Sequence, residues 1–560
     1  MARTPRNSLK KHDLTADSRS AKARRTRATA QIRKDKRRDV VQTKRRRLMS
    51  SDVAVSGRDI NELVRILAGG DASHQERYEV LKEIRVLLAT HENDYATVDQ
   101  IIESGRALPA QIVPVLVELL NSASPLTTAT RSGGEVYKEV LWCLTNIASG
   151  QYEHTKLVLP AVPRLLQFLE GANHTLAEHA AWVLGNIAAD CDEFRQQLIR
   201  NGAVLPLTKP LTRPGDAELA KNCAWALSNL ARGHETSAKP FVDAGIVPVV
   251  VAGLQQGTSQ AFNEATVVEI AWLLSFLTAR EEEYLKLWLD SGLIDLLLPY
   301  FAANNELLLT PILRVFGNLC CGAEDHHTDA WQRPHVQRLL ASDSPFVPQL
   351  LAFLHPSVAA SQAHLAAESA WVLSNLATLD RDVVDRLLHA GVLPSLQAHF
   401  QRGTFELRRE VAFALTNIAL TSASHMEQVL ALDVLPGFLQ LLGAADVAVV
   451  GNSLRLLENV LRAAPNGVAL VESHGGIEAL ETLQFQSDDG EDNHLARWAE
   501  ALVNEFYGEN YGINSPPSQG AVGGPLPAFS FELPPPPTAS ASASGGRGRG
   551  AHMTVPAWKK

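Results

Sequence analysis

The sequence predicts an all-α solenoid, built by stacking short helical repeats between two segments that do not fold on their own. Three observations carry this: an aromatic–Asn pair recurring at a nearly constant interval, a Gly/Asp-to-Pro marker on the same beat, and a change of texture at each end of the chain.

The pair is an aromatic residue followed four positions later by Asn. It is intact as Trp142–Asn146 in WCLTN, Trp182–Asn186 in WVLGN, Trp225–Asn229 in WALSN and Trp371–Asn375 in WVLSN. Degenerate copies fill the intervals: Trp272 with Phe276, Arg314 with Asn318, Phe413 with Asn417, Arg455 with Asn459. Successive first positions are 40, 43, 47, 42, 57, 42 and 42 residues apart, a period expected of three-helix armadillo or HEAT repeats. The longest interval implies an insertion of about 15 residues near Ala323 to Pro345, expected on a loop. The copies run from about 110 to 470, with atypical capping units expected around Arg85 and Trp498.

The second marker runs Gly202 to Pro206, Gly245 to Pro248, Gly391 to Pro394 and Asp433 to Pro436. Gly supplies the positive φ that ends one helix and Pro fits the first turn of the next, so these are helix junctions inside each repeat. No such unit buries its apolar face alone; stacking produces one continuous core with a long concave groove.

Texture divides the chain into a basic segment 1–57, a solenoid 58–508 and a Pro/Gly/Ser-rich tail 509–560, expected to be disordered. The formal net charge of −9 hides an asymmetry: residues 1–50 carry 18 basic and 4 acidic side chains, net +14, and the remainder is net −23. A basic arm tethered to an acidic body is compatible with nucleic acid, a membrane surface or an acidic protein as its partner. No apolar run is long enough for a membrane-spanning helix, and the start lacks a secretory pattern, so a soluble, unsecreted protein is expected. Five scattered cysteines without metal spacing (Cys143, Cys191, Cys223, Cys320, Cys321) read as reduced core or near-core residues.

Function is carried by the pair itself. Trp and Asn four apart share one helix face. Asn is a poor helix-interior residue, and its carboxamide can hold the C=O and N–H of an extended peptide. Indoles one repeat apart form slots for the methylene stems of Lys or Arg, with ring faces that attract the cation. Taken alone, one Trp reads as core and one Asn as a tolerated surface residue; four intact pairs on one period point to a peptide groove. Acidic neighbours (Glu178, Asp190, Glu269, Glu368, Glu410) add an anionic strip, or, taken singly, a solvated face.

At these residues the chain resembles the importin α family. WCLTNIASG (Trp142 to Gly150), AEHAAWVLGNIAAD (Ala177 to Asp190) and NCAWALSNLARG (Asn222 to Gly233) look like its second to fourth armadillo repeats, and HGGIEALETLQ (His474 to Gln484) like its last. The resemblance implies a right-handed armadillo-repeat superhelix of about ten repeats, with no enzymatic activity and no cofactor. It implies a major site for basic nuclear localisation signals in which Trp142, Trp182 and Trp225 form the slots and Asn146, Asn186 and Asn229 hold the peptide backbone. Gly150, Thr155 and Asp190 would receive the anchoring lysine, and Asn222 would assist. A minor site would comprise Trp371, Asn375, Glu410, Phe413 and Asn417; Phe413 stands where Trp is usual, and a smaller ring makes a shallower slot. The basic clusters Arg33, Lys34, Lys36, Arg37, Arg38 and Lys44, Arg45, Arg46, Arg47 resemble the importin-β-binding segment, which competes for the groove when free. Implied partners are signal-bearing cargo, importin β and an export factor that recycles the adaptor between nucleus and cytoplasm, without direct nucleic-acid binding or membrane insertion.

Other readings make less of the residues. A catenin-like armadillo scaffold would have a basic groove, whereas this body is acidic. Nucleic-acid binding through the arm and the RGRG tail has no recognition fold behind it. Glu324, Asp325, His326, His327 and Asp329 could hold a metal but lack a defined spacing and read as a loop. No catalytic motif is present.

Overall fold

The computed structural model describes residues 58, 60–69, 71–89, 112–121, 131–213, 216–232, 236–259, 261–320, 329–485 and 494–508. The basic segment 1–57, the tail 509–560, Cys321, the Glu324 to His327 cluster and the Asp329 side chain lie outside the description. Helices make up the regular structure, with no strand among the described residues.

One long helix per repeat packs on its counterpart in the next. These inner helices are α1 (His74–Ala89), α2 (Arg131–Ala148), α3 (His174–Asp190), α4 (Ala217–Ala231), α5 (Glu264–Leu277), α6 (Glu306–Leu319), α7 (Ala363–Leu376), α8 (Phe405–Ala419), α9 (Val447–Ala463) and α10 (His494–Tyr507). All eight aromatic–Asn registers fall on α2 to α9. The flanking units expected around Arg85 and Trp498 are α1 and α10.

Two shorter helices connect most inner pairs, as Glu282–Asp290 and Leu293–Ala302 do between α5 and α6; among the described residues one, Ile112–Asn121, lies between α1 and α2, and three lie between α6 and α7. At Gly202, Gly245, Gly292, Gly391, Asp433 and Gly475 the chain turns from the first short helix into the second through a left-handed residue, whereas between α2 and α3 the 3-10 turn Leu159–Ala161 makes the junction. Gly245 and Gly391 have φ of 76° and 81°, and Pro248 and Pro394 follow in the first turn. Where glycine is missing, Asp433 takes the position at φ 54°, a conformation Asp tolerates better than most residues. Inner helices start under side-chain caps: Asn173, Asn263, Thr404 and Asp446 accept backbone N–H groups of α3, α5, α8 and α9.

The core is one apolar layer running from Leu63 to Leu502. Its aromatic centre sets Phe316 edge-on to Phe301 and Phe346, with centroids 5.5 and 5.3 Å away. Each ring is fully buried, contributing about 1.5–3 kcal/mol.

The extra length in the 57-residue interval is not a single loop near Ala323 to Pro345. Helix Asp329–Leu339 occupies much of that span, and a supernumerary helix, Pro356–Ser361, lies beyond it, before α7. Pro356 at the first position and His355 as cap nucleate this short turn. The extra residues are divided among the junctions of one repeat, which preserves the α6–α7 packing.

Candidate functional site

The asparagines form a ladder. Asn186 Nδ2 donates to Thr145 O at 2.9 Å, Asn229 to Gly185 O at 3.2 Å, Asn318 to Ser275 O at 3.1 Å, Asn375 to Gly317 O at 3.0 Å and Asn417 to Ser374 O at 2.8 Å. In every case the acceptor lies one inner helix back, just before that helix's own ladder position. An amide in a helix interior is thus accounted for structurally: one of its two N–H groups ties adjacent repeats. Asn146, the first rung, keeps Nδ2 buried with no hydrogen-bond partner, and Asn417 keeps Oδ1 so. Asn459 breaks the pattern by bonding Arg455 O on its own helix.

The rings follow the same register. A Cβ on Gly185 would stand 2.3 Å from Trp225 Cζ3, and one on Gly317 2.1 Å from Trp371 Cζ3, so each indole lies flat on a glycine of the preceding helix. Spacing arguments expect open slots between indoles; Trp182, Trp225 and Trp371 are instead at most 5% exposed, while Trp142 is half-buried. Trp182 and Trp225 pack in a cluster separate from the main core, and Trp182 meets Trp142 with centroids 6.5 Å apart. His179 lies against the Trp142 ring at 5.1 Å. Trp371 and Phe413, by contrast, belong to the main core.

Gly150, Thr155 and Asp190 come together. Thr155, fully buried, donates from Oγ1 to Asp190 Oδ2 at 2.8 Å, which joins the helix after α2 to the end of α3. A Cβ on Gly150 would stand 2.4 Å from His154 Nδ1, the acceptor of the Gln151 N–H, so only glycine fits. Asn222, fully buried on α4, donates to Glu178 of α3 at 3.4 Å.

Glu368 and Glu410, and Glu139 which the sequence reading did not single out, carry internal arginines that it missed. Arg85 lies 3.1 Å from Glu139, Arg314 lies 2.5 Å from Glu368, and Arg409 lies 2.6 Å from Glu410 and 2.8 Å from Asp446. Burial pushes the Glu139 carboxyl above the usual range, with Arg85 opposing the shift. Partners so distant in sequence as Arg314 and Glu368 leave no local signal. The glycine seats did leave one, in WVLGN and FGN. Among the described residues no helix is long and apolar enough to cross a membrane, and no group of His, Cys, Asp and Glu could hold a metal ion.

Stacked three-helix repeats joined by an asparagine ladder define an armadillo-repeat protein, and the model of the Armadillo/beta-catenin-like repeat matches residues 154–189 and 191–232. Importin subunit alpha-9 of Arabidopsis thaliana is 30% identical over 462 residues, covering 80% of this chain and 82% of the relative. Importin subunit alpha-2 of Oryza sativa subsp. japonica is 30% identical over 461 residues, covering 80% and 81%. The crystal structure of an engineered protein matches with a TM-score of 0.63 at 25% identity, covering 80% of this chain and 98% of that one. The chain belongs to the importin α family.

Proposed function

We infer that this chain is a nuclear import adaptor that takes basic nuclear localisation signals along α2 to α4 and links them to importin β through residues 1–57. The observation that carries the reading is the Trp142–Trp182–Trp225 run, which packs outside the main core and ends on a half-buried ring. Trp182 and Trp225 are already covered within the chain, so it is the half-buried Trp142 ring at the end of the run that offers aromatic surface to a ligand. Asp190, eight residues past Trp182 on α3, supplies the charge for an anchoring lysine, with Thr155 fixing its carboxylate. The unpartnered Asn146 amide is a donor for an extended backbone. On this reading Trp182, Trp225, Asn186, Asn229 and Asn222 complete the major site, and Trp371, Asn375, Glu410, Phe413 and Asn417 stand at the positions of a minor one, whose Glu410 already carries Arg409.

The basic clusters from Arg33 to Arg38 and Lys44 to Arg47 compete for the same groove until importin β removes them. Shuttling between cytoplasm and nucleus, with an export factor for return, completes the cycle. The test is a titration of a fluorescent lysine-rich peptide into the full chain with and without purified importin β. A ternary complex with tighter peptide binding is expected by linkage; peptide released on addition of importin β contradicts the adaptor reading.

A further inference from the structure

Glutamate recurs three residues before a ring at Glu139, Glu269, Glu368 and Glu410, and at three of the four, Glu139, Glu368 and Glu410, an arginine of the chain itself is in place. In two cases the arginine also covers a ring. The Arg85 guanidinium lies 5.4 Å from the centre of the Trp142 ring, and that of Arg409 lies 5.7 Å from the centre of Phe413. A guanidinium over an aromatic face and against a carboxylate is the arrangement this groove would offer a cationic ligand side chain. On α3 and α4 the equivalent positions hold His179 and Asn222 instead, and the acids Glu178 and Asp190 stand elsewhere.

Arg409 lies between two carboxylates. Its Nη1 meets Glu410 on its own helix, and its Nε meets Asp446 of the next repeat, leaving the side chain 13% exposed. Asp446 cannot swing aside freely, because its carboxylate caps α9 through the N–H groups of Ala448 and Val449. An incoming Lys or Arg must either displace this guanidinium from two carboxylates or sit beside a like charge.

We propose that Arg409 is a built-in occupant of the Phe413 slot, closing the C-terminal half of the groove to a second basic cluster and making the chain selective for ligands with one. The inference rests on reading the groove as a basic-peptide site. Specificity here comes from a repulsive element on the adaptor as much as from an attractive one.

The test is calorimetry on the full chain with two peptides: one lysine-rich cluster, and the same cluster joined at either end, through a neutral spacer spanning Trp182 to Phe413, to a second pair of arginines. Wild-type protein is expected to bind both within about twofold. Arg409→Gln should tighten the two-cluster peptide about tenfold and leave the one-cluster peptide unchanged. Arg409→Met, which keeps the apolar stem, should do the same and carries the test if the glutamine variant does not fold. Wild-type protein that already gains tenfold from the second cluster overturns the proposal, as do folded variants with wild-type affinity for both. Binding of neither peptide by wild type would instead overturn the groove reading, and this inference with it.

Discussion

Asn229 donates to the carbonyl oxygen of Gly185, and Gly185 is also the seat of the Trp225 ring. One residue of α3 thus serves both members of the next helix's Trp–Asn pair, and Gly317 does the same for Trp371 and Asn375. The pair four apart is therefore an inter-repeat fastener as well as a surface for ligand. On α2 to α8 the residue before the ladder position is small: Thr145, Ser228, Ser275 (before Phe276), Ser374 and Thr416 stand where Gly185 and Gly317 do in their helices, and α9 departs, with Glu458 before Asn459.

Gly185→Ala follows directly. In a helix interior this exchange ordinarily stabilises by about 0.5–1 kcal/mol, but here the new methyl collides with a fully packed ring, and overpacking costs about 1–3 kcal/mol. The clash wins, so the thermal midpoint should fall and lysine-rich peptide affinity should drop as Trp225 shifts. An unchanged or raised midpoint would show that the ring yields freely.

The buried Arg314–Glu368 pair spans α6 and α7, with both side chains about a tenth exposed. Arg314→Met alone strands a buried carboxylate and should cost about 3–5 kcal/mol. Adding Glu368→Met should recover most of the loss. Chemical denaturation of both variants checks this; additive losses would mean that the two residues act independently.

The fold was legible because its signals are periodic and local: the Trp–Asn beat placed α2 to α9, and the Gly/Asp-to-Pro marker placed the turns now seen at Gly245, Gly391 and Asp433. Thr155 and Asp190, named together through resemblance alone, lie within hydrogen-bond distance of each other. What could not be read was anything set by contacts between repeats. Asparagine looked wholly available to a ligand, whereas one N–H goes to the neighbouring helix. Glu410 looked like a ligand acid, whereas Arg409 and Asp446 share its charge environment. The helix Pro356–Ser361 carries no period at all.

Phe413→Trp tests ring size at the minor site. With Arg409 already over the ring, a larger face strengthens the internal contact, so two-cluster peptide affinity should not rise. Combined with Arg409→Gln the same exchange should add a further severalfold gain, measurable by calorimetry as a positive coupling between the two changes. Gain from Phe413→Trp alone would show that ring size, not occupancy, limits the site.

Deletion of residues 1–50 removes a +14 segment tethered to the −23 remainder. Covalent linkage to the groove can hold Lys44 to Arg47 at an effective concentration of about millimolar, so the deletion should raise lysine-rich peptide affinity tenfold or more, about 1.4 kcal/mol. The gain should shrink as salt is raised, since the competition is largely electrostatic. Equal affinities at low salt would show that the arm does not compete.

The central claim is that the end of α3 anchors a basic ligand, and Asp190→Lys tests it most directly. The change places a cation where a carboxylate now accepts from Thr155 at 2.8 Å, at the end of the helix that carries Trp182. Fluorescence anisotropy of a lysine-rich peptide against the arm-deleted chain should show saturable binding that this substitution abolishes, with the thermal midpoint held near wild type. Undiminished affinity in the folded Asp190→Lys variant would contradict the account.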